Sequence, residues 1–182
     1  AVVDLILADA DITCTVAPAI LFRNVYECDK DRDEENATPT VDTSAAGANL
    51  ILEGSNKVSG SHVAKIFKDK DGEKKLWKQD GAIYSYMSMN VFGPGFLLLN
   101  ATNEGLDTDL HLTINGGTFH GAQANQGAVL SGNGNLTING GTFYAAKASK
   151  GGVVFCNSSG AKKFNINGGT FIGVGSDGTN KV

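Results

Sequence analysis

The chain has 182 residues, of which 41% are hydrophobic and 19% charged, and it contains 24 glycines but only 3 prolines. This composition excludes a disordered or collagen-like chain and can supply one hydrophobic core, so we expect a single domain over residues 1–182. The formal net charge of −4 argues against nucleic acid and against an anionic membrane surface as partners. No apolar run reaches the roughly 18 residues of a membrane span.

The start of the chain and its cysteines bear on the compartment in which the protein works. The sequence starts at Ala1 without an initiating methionine, so we expect a removed signal peptide and a segment of a longer secreted protein. Three cysteines are too few for a disulfide framework, although Cys14 and Cys28 flank one apolar segment and can pair. Cys156 ends another apolar segment, which favours a small buried core residue over a reactive thiol.

The first half of the chain contains short apolar segments that predict β-strands. In chain order these are DLILADADITCT at 4–15, PAILF at 18–22, NLILEGSNKVSG at 49–60, GAIYS at 81–85 and MNVFGPGF at 89–96. Polar insertions interrupt them at about residues 27–46 and 65–79. The acidic run 29–35 lacks the sharp-turn glycine of a calcium loop, which favours a disordered acidic loop. Residues 69–73, DKDGE, favour a hairpin-like turn over a metal site.

The second half repeats one octamer. LTINGGTF occupies 112–119 and 136–143, and FNINGGTF occupies 164–171, at intervals of 24 and 28 residues. A second apolar motif precedes each copy, namely GLDTD at 105–109, GAVLS at 127–131 and GVVFC at 152–156. Alternation of apolar and polar residues predicts strands with Leu112, Ile114, Leu136, Ile138, Phe164 and Ile166 pointing inward. The Asn-Gly-Gly after each strand tolerates the positive φ of a tight corner.

Self-similarity at this period indicates one structural unit stacked on copies of itself. A unit of 22–28 residues holds two or three short strands and leaves no room for a helix. We therefore predict an all-β fold, a right-handed parallel β-helix of about six rungs. The corner asparagines Asn115, Asn139 and Asn167 should stack and hydrogen-bond along the column.

Four phenylalanines repeat with the octamer. They are Phe96, Phe119, Phe143 and Phe171. A ladder of aromatic rings can be a platform for sugar rings or an internal stack. Four exposed aromatic rings in successive rungs would make a large apolar patch, so we interpret the column as core packing.

The order of the motifs resembles one known family. The chain is similar to the bacterial carbohydrate-binding domain of the parallel β-helix type, through LILADADITC, APAIL, ANLILEGSNKVSG, DGAIYS, MNVFGPGFLLL and EGLDTDLHLTINGGTF in that order. The resemblance implies a fold like that of pectate lyases, without their catalytic machinery. It also implies binding of cellulose or pectin-like polysaccharide with the help of calcium, in an extracellular or cell-surface bacterial protein. The acidic insertion after Cys28 departs from the family's pattern.

One carboxylate interrupts an apolar column. Alignment of the repeats by their first glycines places Asp107 with the aliphatic residues Ile83, Val129 and Val154. Because a buried, unpaired carboxylate is unfavourable, either the strand shifts to turn Leu106 inward and Asp107 to solvent, or Asp107 binds a cation. Calcium prefers carboxylate and carbonyl oxygens. The predicted calcium ligands are Asp80, Glu104, Asp107 and Asp109, and the alternative is a solvated acidic edge.

Outward side chains of a stacked fold repeat about every 4.8 Å, so one flat face can match an extended glycan. The predicted carbohydrate-binding residues are Trp77, Tyr84, Thr113, Thr137 and Asn165. We expect Tyr84 to face away from the core because it alternates with Ile83.

Catalysis and self-assembly are the alternative hypotheses. Glycoside hydrolysis needs two carboxylates at a defined distance, which Asp80 with Glu104 or Asp107 with Asp109 can supply. A lyase needs a base in addition, and the nearest in sequence is His111, which alternation turns toward solvent; we therefore expect no enzyme. The other alternative is a structural subunit of an extracellular filament or adhesin stalk, whose partners are copies of itself stacked end to end.

Overall fold

The fold is all-β and is built mainly from parallel sheets. The computed structural model describes residues 1–31, 37–120, 123–125, 127–144, 147–148, 154–156 and 163–172. Helix within these residues is confined to one 3-10 turn, Thr43–Ala45. None of the described helical structure is long and apolar enough to cross a membrane. The predicted all-β class and parallel pairing are confirmed.

The strands, numbered in chain order, divide into three parallel sheets and one hairpin. The first sheet contains β1 Val3–Ala8, β4 Ala48–Glu53, β9 Met89–Phe92, β12 Leu112–Ile114, β16 Leu136–Ile138 and β20 Phe164–Ile166. The second sheet contains β2 Asp11–Thr13, β5 Ser55–Gly60, β10 Phe96–Ala101, β13 Thr118–His120, β14 Gln123–Ala124, β17 Thr142–Tyr144, β18 Lys147–Ala148 and β21 Thr170–Ile172. The third sheet contains β3 Ile20–Phe22, β8 Gly81–Ser85, β11 Glu104–Thr108, β15 Leu130–Gly132 and β19 Val154–Cys156. The hairpin pairs β6 Val63–Lys68 with β7 Lys74–Gln79.

Apart from the hairpin, the chain visits the three sheets in turn, and it twice places two successive strands, β13 with β14 and β17 with β18, in the second sheet. β1, β2 and β3 lie in the first, second and third sheets, and β9, β10 and β11 repeat that order. Each circuit of the chain adds a strand to each sheet, in parallel register with the circuit before it. The sequence repeats are therefore successive circuits. The six strands of the first sheet agree with the predicted count of about six.

The core takes its buried side chains from all three sheets. Leu50, Leu99 and Ile83 come from the first, second and third sheets, and each is fully buried in one apolar cluster. This arrangement removes the apolar faces of the three sheets from water together, and apolar burial is the main favourable term in folding.

The octamers contribute the predicted inward residues. Leu112, Ile114, Leu136 and Ile138 are fully buried. Phe164 and Ile166 are in register with Leu136 and Ile138, but they are 44% and 50% exposed. Their predicted burial is wrong because β20 is the outermost strand of the first sheet in the described chain.

The asparagine corners repeat in space as they do in sequence. The second glycine of each Asn-Gly-Gly has a φ between 102° and 116°, a conformation that L side chains rarely adopt. Asn139 Nδ2 donates to Asn115 Oδ1 at 2.9 Å, and Asn167 Nδ2 donates to Asn139 Oδ1 at 2.8 Å. These bonds link three corners into one ladder along the stack.

A column of stacked phenylalanine rings lies on the core-facing side of the second sheet. The ring centroids of Phe119 and Phe143 are 5.1 Å apart, and those of Phe143 and Phe171 are 4.8 Å apart. Phe119 and Phe143 are buried, which confirms the interpretation as core packing. Phe96 was predicted in this column but is not part of it, because Leu97 is the residue in register with Phe119.

The first insertion crosses the outer face of the first sheet. We define the strap as residues 27–31 and 37–46; residues 32–36, with most of the acidic run, lie outside the described residues. Thr43 Oγ1 lies 2.9 Å from Thr113 Oγ1 on β12, and Asn135 Nδ2, next to β16, donates to Pro39 O at 3.2 Å. The strap therefore contacts successive circuits of the chain.

Buried carboxylates hold the strap in place. Glu27 accepts hydrogen bonds from the backbone N–H and the hydroxyl of Ser88 at 2.7 and 2.8 Å. Asp29 accepts from Thr38 Oγ1 at 2.6 Å and lies 3.0 Å from His111 Nε2. Glu27 and Asp29 are both buried, so the expectation of a disordered acidic loop is wrong for the described part of the insertion.

The second insertion is the antiparallel hairpin of β6 and β7. Its turn is closed by Asp69 N–H, which donates to Glu73 O at 2.9 Å, and Gly72 has a φ of 81°. The predicted hairpin-like turn is confirmed. Residues 63–79 contain six lysines against three acidic residues, so the hairpin is positively charged within an acidic chain.

Cys14 and Cys28 are free thiols in this structure. Burial and the neighbouring Glu27 carboxylate raise the pKa of the Cys28 thiol to about 12, so it stays protonated at neutral pH. The side chain of Cys156 lies outside the described part of the structure.

Candidate functional site

Three of the four predicted calcium ligands converge beside the third-sheet strands β8 and β11. Asp80 precedes β8, while Glu104 and Asp107 belong to β11. One carboxylate oxygen of each lies within 4.8 Å of the others. Asp107 is only 2% exposed, and its Oδ1 has no hydrogen-bond partner among the described residues. This group, which we name the acidic cluster, therefore has a buried oxygen that calls for a proton or a cation.

The register of β11 decides where Asp107 points. Leu106, and not Asp107, is in register with Ile83 and Leu130, and it is fully buried. Asp107 pairs instead with Tyr84 and Ser131 on the other face of the sheet. The alignment of Asp107 with Ile83 is therefore wrong, and the alternative in which the strand shifts to turn Leu106 inward is confirmed. The exposure of Asp107 that this alternative included is wrong, since Asp107 is buried on the other face.

Burial controls the ionisation of the acidic cluster. It raises the pKa of Asp107 well above its usual range, and the nearby Glu104 carboxylate raises that pKa further. Burial also raises the pKa of Glu104, with a further contribution from Asp80. Without a cation, the raised pKa values favour the protonated forms of Glu104 and Asp107.

Lys78 supplies one positive charge beside the acidic cluster. Its Nζ forms an ion pair with Asp80 Oδ2. Burial opposes the charge on Lys78, but the hydrogen bond and the charge of Asp80 outweigh it and raise the pKa of Lys78. Lys78 pairs with Asp80, and its charge also acts on Glu104 and Asp107, but neither of these two carboxyls forms an ion pair within the described part of the chain.

Asp109, the fourth predicted calcium ligand, lies outside the acidic cluster. It follows the end of β11, and its carboxylate accepts a hydrogen bond from the Tyr84 hydroxyl. Burial and the negative charge of Asp109 raise the pKa of Tyr84, so the phenol remains a neutral donor. Tyr84 is buried, so its expected exposure is wrong.

A shallow groove of about 340 Å³ lies at the carboxyl ends of the third-sheet strands. It is lined by Arg23, Asn24, Trp77, Tyr86, Met87 and Asp109. Because Phe22, Ser85 and Thr108 are in register, the residues that follow them, Arg23, Tyr86 and Asp109, occupy the same corner of successive circuits. We name this feature the Trp77 groove.

The aromatic side chains of the Trp77 groove are held in place. Gln79 Nε2 donates to the Tyr86 hydroxyl at 3.1 Å. The rings of Tyr84 and Tyr86 meet edge to face, with centroids 5.2 Å apart at 87°. Trp77, on β7, is 36% exposed and reaches the groove from the hairpin.

The other predicted carbohydrate-binding residues form one column on the first sheet. Thr113, Thr137 and Asn165 are in register on β12, β16 and β20. Thr137 is half-buried and Asn165 is exposed, but Thr113 is buried against Thr43 of the strap. Thr113 was expected to face solvent, and that expectation is wrong because the strap covers it.

Comparison with known proteins bears on the class of ligand. The family model described as carbohydrate-binding domain-containing protein matches residues 1–180 of the chain. The chain belongs to this family. No curated protein and no solved structure matches it. The carbohydrate-binding class indicated by the order of the motifs is confirmed at this level.

Sequence reasoning missed several residues of this carbohydrate-binding domain. Arg23, Asn24 and Met87 line the Trp77 groove although none of them was singled out from the sequence. The available signal is positional, because each lies within two residues of the carboxyl end of a third-sheet strand. Lys78 was also missed, although a basic residue two positions before Asp80 is a candidate partner for it.

Proposed function

We propose that this carbohydrate-binding domain binds extracellular polysaccharide of the cellulose or pectin type without cleaving it. Membership of the carbohydrate-binding family is the observation that carries the proposal. The exposed ring of Trp77 supports it, because an aromatic ring with one free face offers a large, rigid apolar surface to a ligand.

The fold that we propose for this function is a right-handed parallel β-helix. Support comes from the three sheets visited in turn and from the parallel register between circuits. Right-handed connections between parallel strands are by far the commoner hand. Outward side chains of such a stack repeat about every 4.8 Å, so two steps roughly span one sugar ring with its linkage.

The proposal favours binding over cleavage by a lyase, because no free base accompanies the acidic cluster in the described residues. His111 is buried under the strap; its Nε2 faces Asp29, and its Nδ1 accepts from Asn135 N–H at 2.8 Å. Lys78 is beside the cluster, but its raised pKa keeps it protonated in its ion pair with Asp80. Neither side chain can take a proton from a sugar ring.

We also propose that the acidic cluster binds calcium. The fit rests on Asp107 Oδ1, a buried carboxylate oxygen without a hydrogen-bond partner among the described residues. Asp80, Glu104 and Asp107 are hard oxygen ligands, the kind that calcium prefers. Bound calcium would offset the negative charge of the cluster and link the start of β8 to β11.

Binding of polysaccharide is tested by pull-down on insoluble cellulose and by affinity electrophoresis in polygalacturonate. We expect retention by at least one of these polymers and no release of soluble sugar from either. Retention by neither polymer would contradict the proposed function and favour the filament hypothesis, which size-exclusion chromatography would then examine. Released product would contradict the absence of cleavage.

Calcium is tested by thermal melting. A ligand present at a hundred times its Kd stabilises the folded state by about 2.7 kcal/mol, so millimolar calcium should raise the melting temperature of the wild-type protein by several degrees. Asp107→Ala should lose this rise, while Asp71→Asn, at the exposed hairpin turn, should keep it. An unchanged melting temperature in calcium, or an undiminished rise in Asp107→Ala, would contradict the site.

A further inference from the structure

The Trp77 groove contains a cationic side chain that has no hydrogen-bond or ion-pair partner among the described residues. Arg23 lines the groove and is exposed, and no hydrogen bond or ion pair engages its guanidinium within the described part of the chain. A guanidinium presents a planar fork of N–H donors that fits a carboxylate or sulfate group. Arg23 is therefore placed to contact an anionic group on whatever occupies the groove.

The surroundings of the Trp77 groove add to its positive charge. Lys65 lies directly opposite Trp77 in the hairpin, and Lys75 is two residues before Trp77 on the same strand, so both project from the face of the hairpin that carries Trp77. The one acidic lining residue, Asp109, accepts a hydrogen bond from Tyr84. Lys75 lies 3.9 Å from Asp69 Oδ2 and is paired with it, so Arg23 and Lys65 are the cationic side chains that stand against Asp109 at this site.

We propose that the Trp77 groove binds a sugar unit that carries a carboxylate or sulfate group, and that Arg23 selects for the negative charge. The assignment rests on the proposed binding of polysaccharide and names both the site and the ligand class. Trp77 stacks on the apolar face of the sugar, and Arg23 pairs with its anionic group. Asn24 and Asp109 face the sugar hydroxyls from the same lining. The volume of about 340 Å³ lies at the small end of ligand pockets, which suits one or two sugar units.

The experiment uses Trp77, the single tryptophan of the chain, as the reporter of occupancy. Its fluorescence is titrated with trigalacturonate, the methyl ester of trigalacturonate, a sulfated trisaccharide and cellotriose, in one buffer with fixed free calcium. The ester keeps the carbohydrate backbone and removes its charge. We expect saturable changes with at least one anionic trisaccharide and about tenfold or greater loss of affinity for the ester, since a hydrogen bond to a charged group contributes that much. Comparison of the titrations with trigalacturonate and with the sulfated trisaccharide identifies which anionic group the groove binds.

Variants separate Arg23 from general electrostatics. Arg23→Gln should bind the anionic trisaccharide about tenfold more weakly or worse, and Arg23→Lys should recover part of the loss. Lys70→Gln removes a charge at the hairpin turn, away from the groove lining, and should stay within about twofold of the wild type. Thermal melting of each variant confirms that it is folded, which the exposure of Arg23 leads us to expect.

The outcomes distinguish this proposal from the proposed function. Equal affinity for trigalacturonate and its ester, or full affinity in Arg23→Gln, would overturn the charge selection. Retention of the protein by a polysaccharide without any change in Trp77 fluorescence would contradict binding in the Trp77 groove. It would not contradict the proposed function. Retention by no polysaccharide would overturn the proposed function itself.

Discussion

A single carboxylate oxygen, Asp107 Oδ1, sets the chemistry of the acidic cluster. It is buried without a hydrogen-bond partner among the described residues, and burial raises the pKa of Asp107 well above its usual range. A carboxyl with a raised folded pKa binds its proton more tightly in the folded state, so its ionisation opposes folding. Its effect on stability is therefore most favourable below the unfolded pKa near 3.9 and declines as the pH rises toward the folded pKa.

We predict that Asp107→Asn stabilises the protein in the presence of a chelator at neutral pH. The variant removes the charge that opposes folding, so the free energy of unfolding in chelator should rise. Urea unfolding between pH 4 and pH 7 should also show a weaker pH dependence than in the wild type. A less stable Asp107→Asn variant in chelator would show that the cluster compensates its charge without a metal.

His111 illustrates how a side chain assigned to solvent can belong to the interior. It is fully buried, and its Nδ1 accepts from Asn135 N–H, so the ring proton lies on Nε2 and is donated to Asp29. Nothing in the local sequence indicates this, because the partners are 24 and 82 residues away. The alternation of polar and apolar residues gives only the face of the strand, and the strap covers that face.

We predict that His111→Ala is among the more destabilising single substitutions in this chain. It takes a hydrogen-bond donor from the buried Asp29 carboxylate and the acceptor from the buried Asn135 N–H, and each loss typically costs about 1–3 kcal/mol. The matched control is His62→Ala, because His62 is exposed and hydrogen-bonds only to Thr102 in the described chain; its loss should stay below about 1 kcal/mol. Similar losses in the two variants, measured by urea unfolding, would contradict the structural role of His111.

The candidate site shows which properties of a residue its sequence context determines. The carboxylate that interrupts an apolar column identified the acidic cluster, and three of its four predicted members converge. Its geometry depended on register: alignment on Gly81 and Gly105 pairs Ile83 with Asp107, whereas the structure pairs Ile83 with Leu106. A slip of one residue turns every side chain of a strand to the opposite face. The sequence therefore indicated which carboxylates belong to the site, but it left open the face of β11 on which Asp107 lies.

At the scale of elements, the strap and the hairpin differ in how far their sequences predict them. The turn at residues 69–73 is local, so its aspartate and glycine were sufficient to indicate it. The strap depends on distant partners, such as Ser88 for Glu27, 61 residues apart in the chain. An acidic composition favours disorder only when the carboxylates lack such partners, and no local pattern indicates that they have them.

We predict that strong acid loosens the strap through Asp29. Burial opposes its ionisation, but hydrogen bonds from Thr38 and His111 outweigh this and lower the pKa of Asp29 to about 2. A carboxylate with a lowered folded pKa contributes stability above its unfolded pKa near 3.9, and this contribution is lost as the pH falls through about 2. Urea unfolding of the wild type should therefore weaken more steeply between pH 4 and pH 2 than that of Asp29→Asn.

The control for this pH dependence is Asp4→Asn, which removes an exposed carboxylate from β1. Its pH profile should follow that of the wild type. Glu27, which belongs to the strap, and His111, which contacts Asp29, are unchanged in both variants. Parallel profiles for the wild type and Asp29→Asn would show that Asp29 does not contribute to acid sensitivity.

At the scale of the whole molecule, the all-β class and the parallel pairing of the repeats were the most predictable properties. The three Asn-Gly-Gly corners recur at one position of each circuit, and their spacing of 24 and 28 residues is the spacing of the register itself, from Leu112 to Leu136 to Phe164. Because the same strand and corner pattern occurs in several copies, a strand misassigned in one copy can be corrected by comparison with the others. The insertions occur once each, and their placement on the stack had no such redundancy.

We predict that the effect of a core substitution depends on the position of its circuit in the stack. Ile138 and Ile166 are the same residue type in the same column, each followed by Asn-Gly-Gly, but Ile138 is fully buried and Ile166 is 50% exposed. Ile138→Ala should lower the free energy of unfolding by about 2–5 kcal/mol, because it removes buried apolar surface and leaves a cavity between neighbouring circuits. Ile166→Ala should lower it by less than half as much, since its environment can relax toward water. Urea unfolding followed by circular dichroism measures both losses, and equal losses would show that the outermost described circuit is as tightly packed as the middle of the stack.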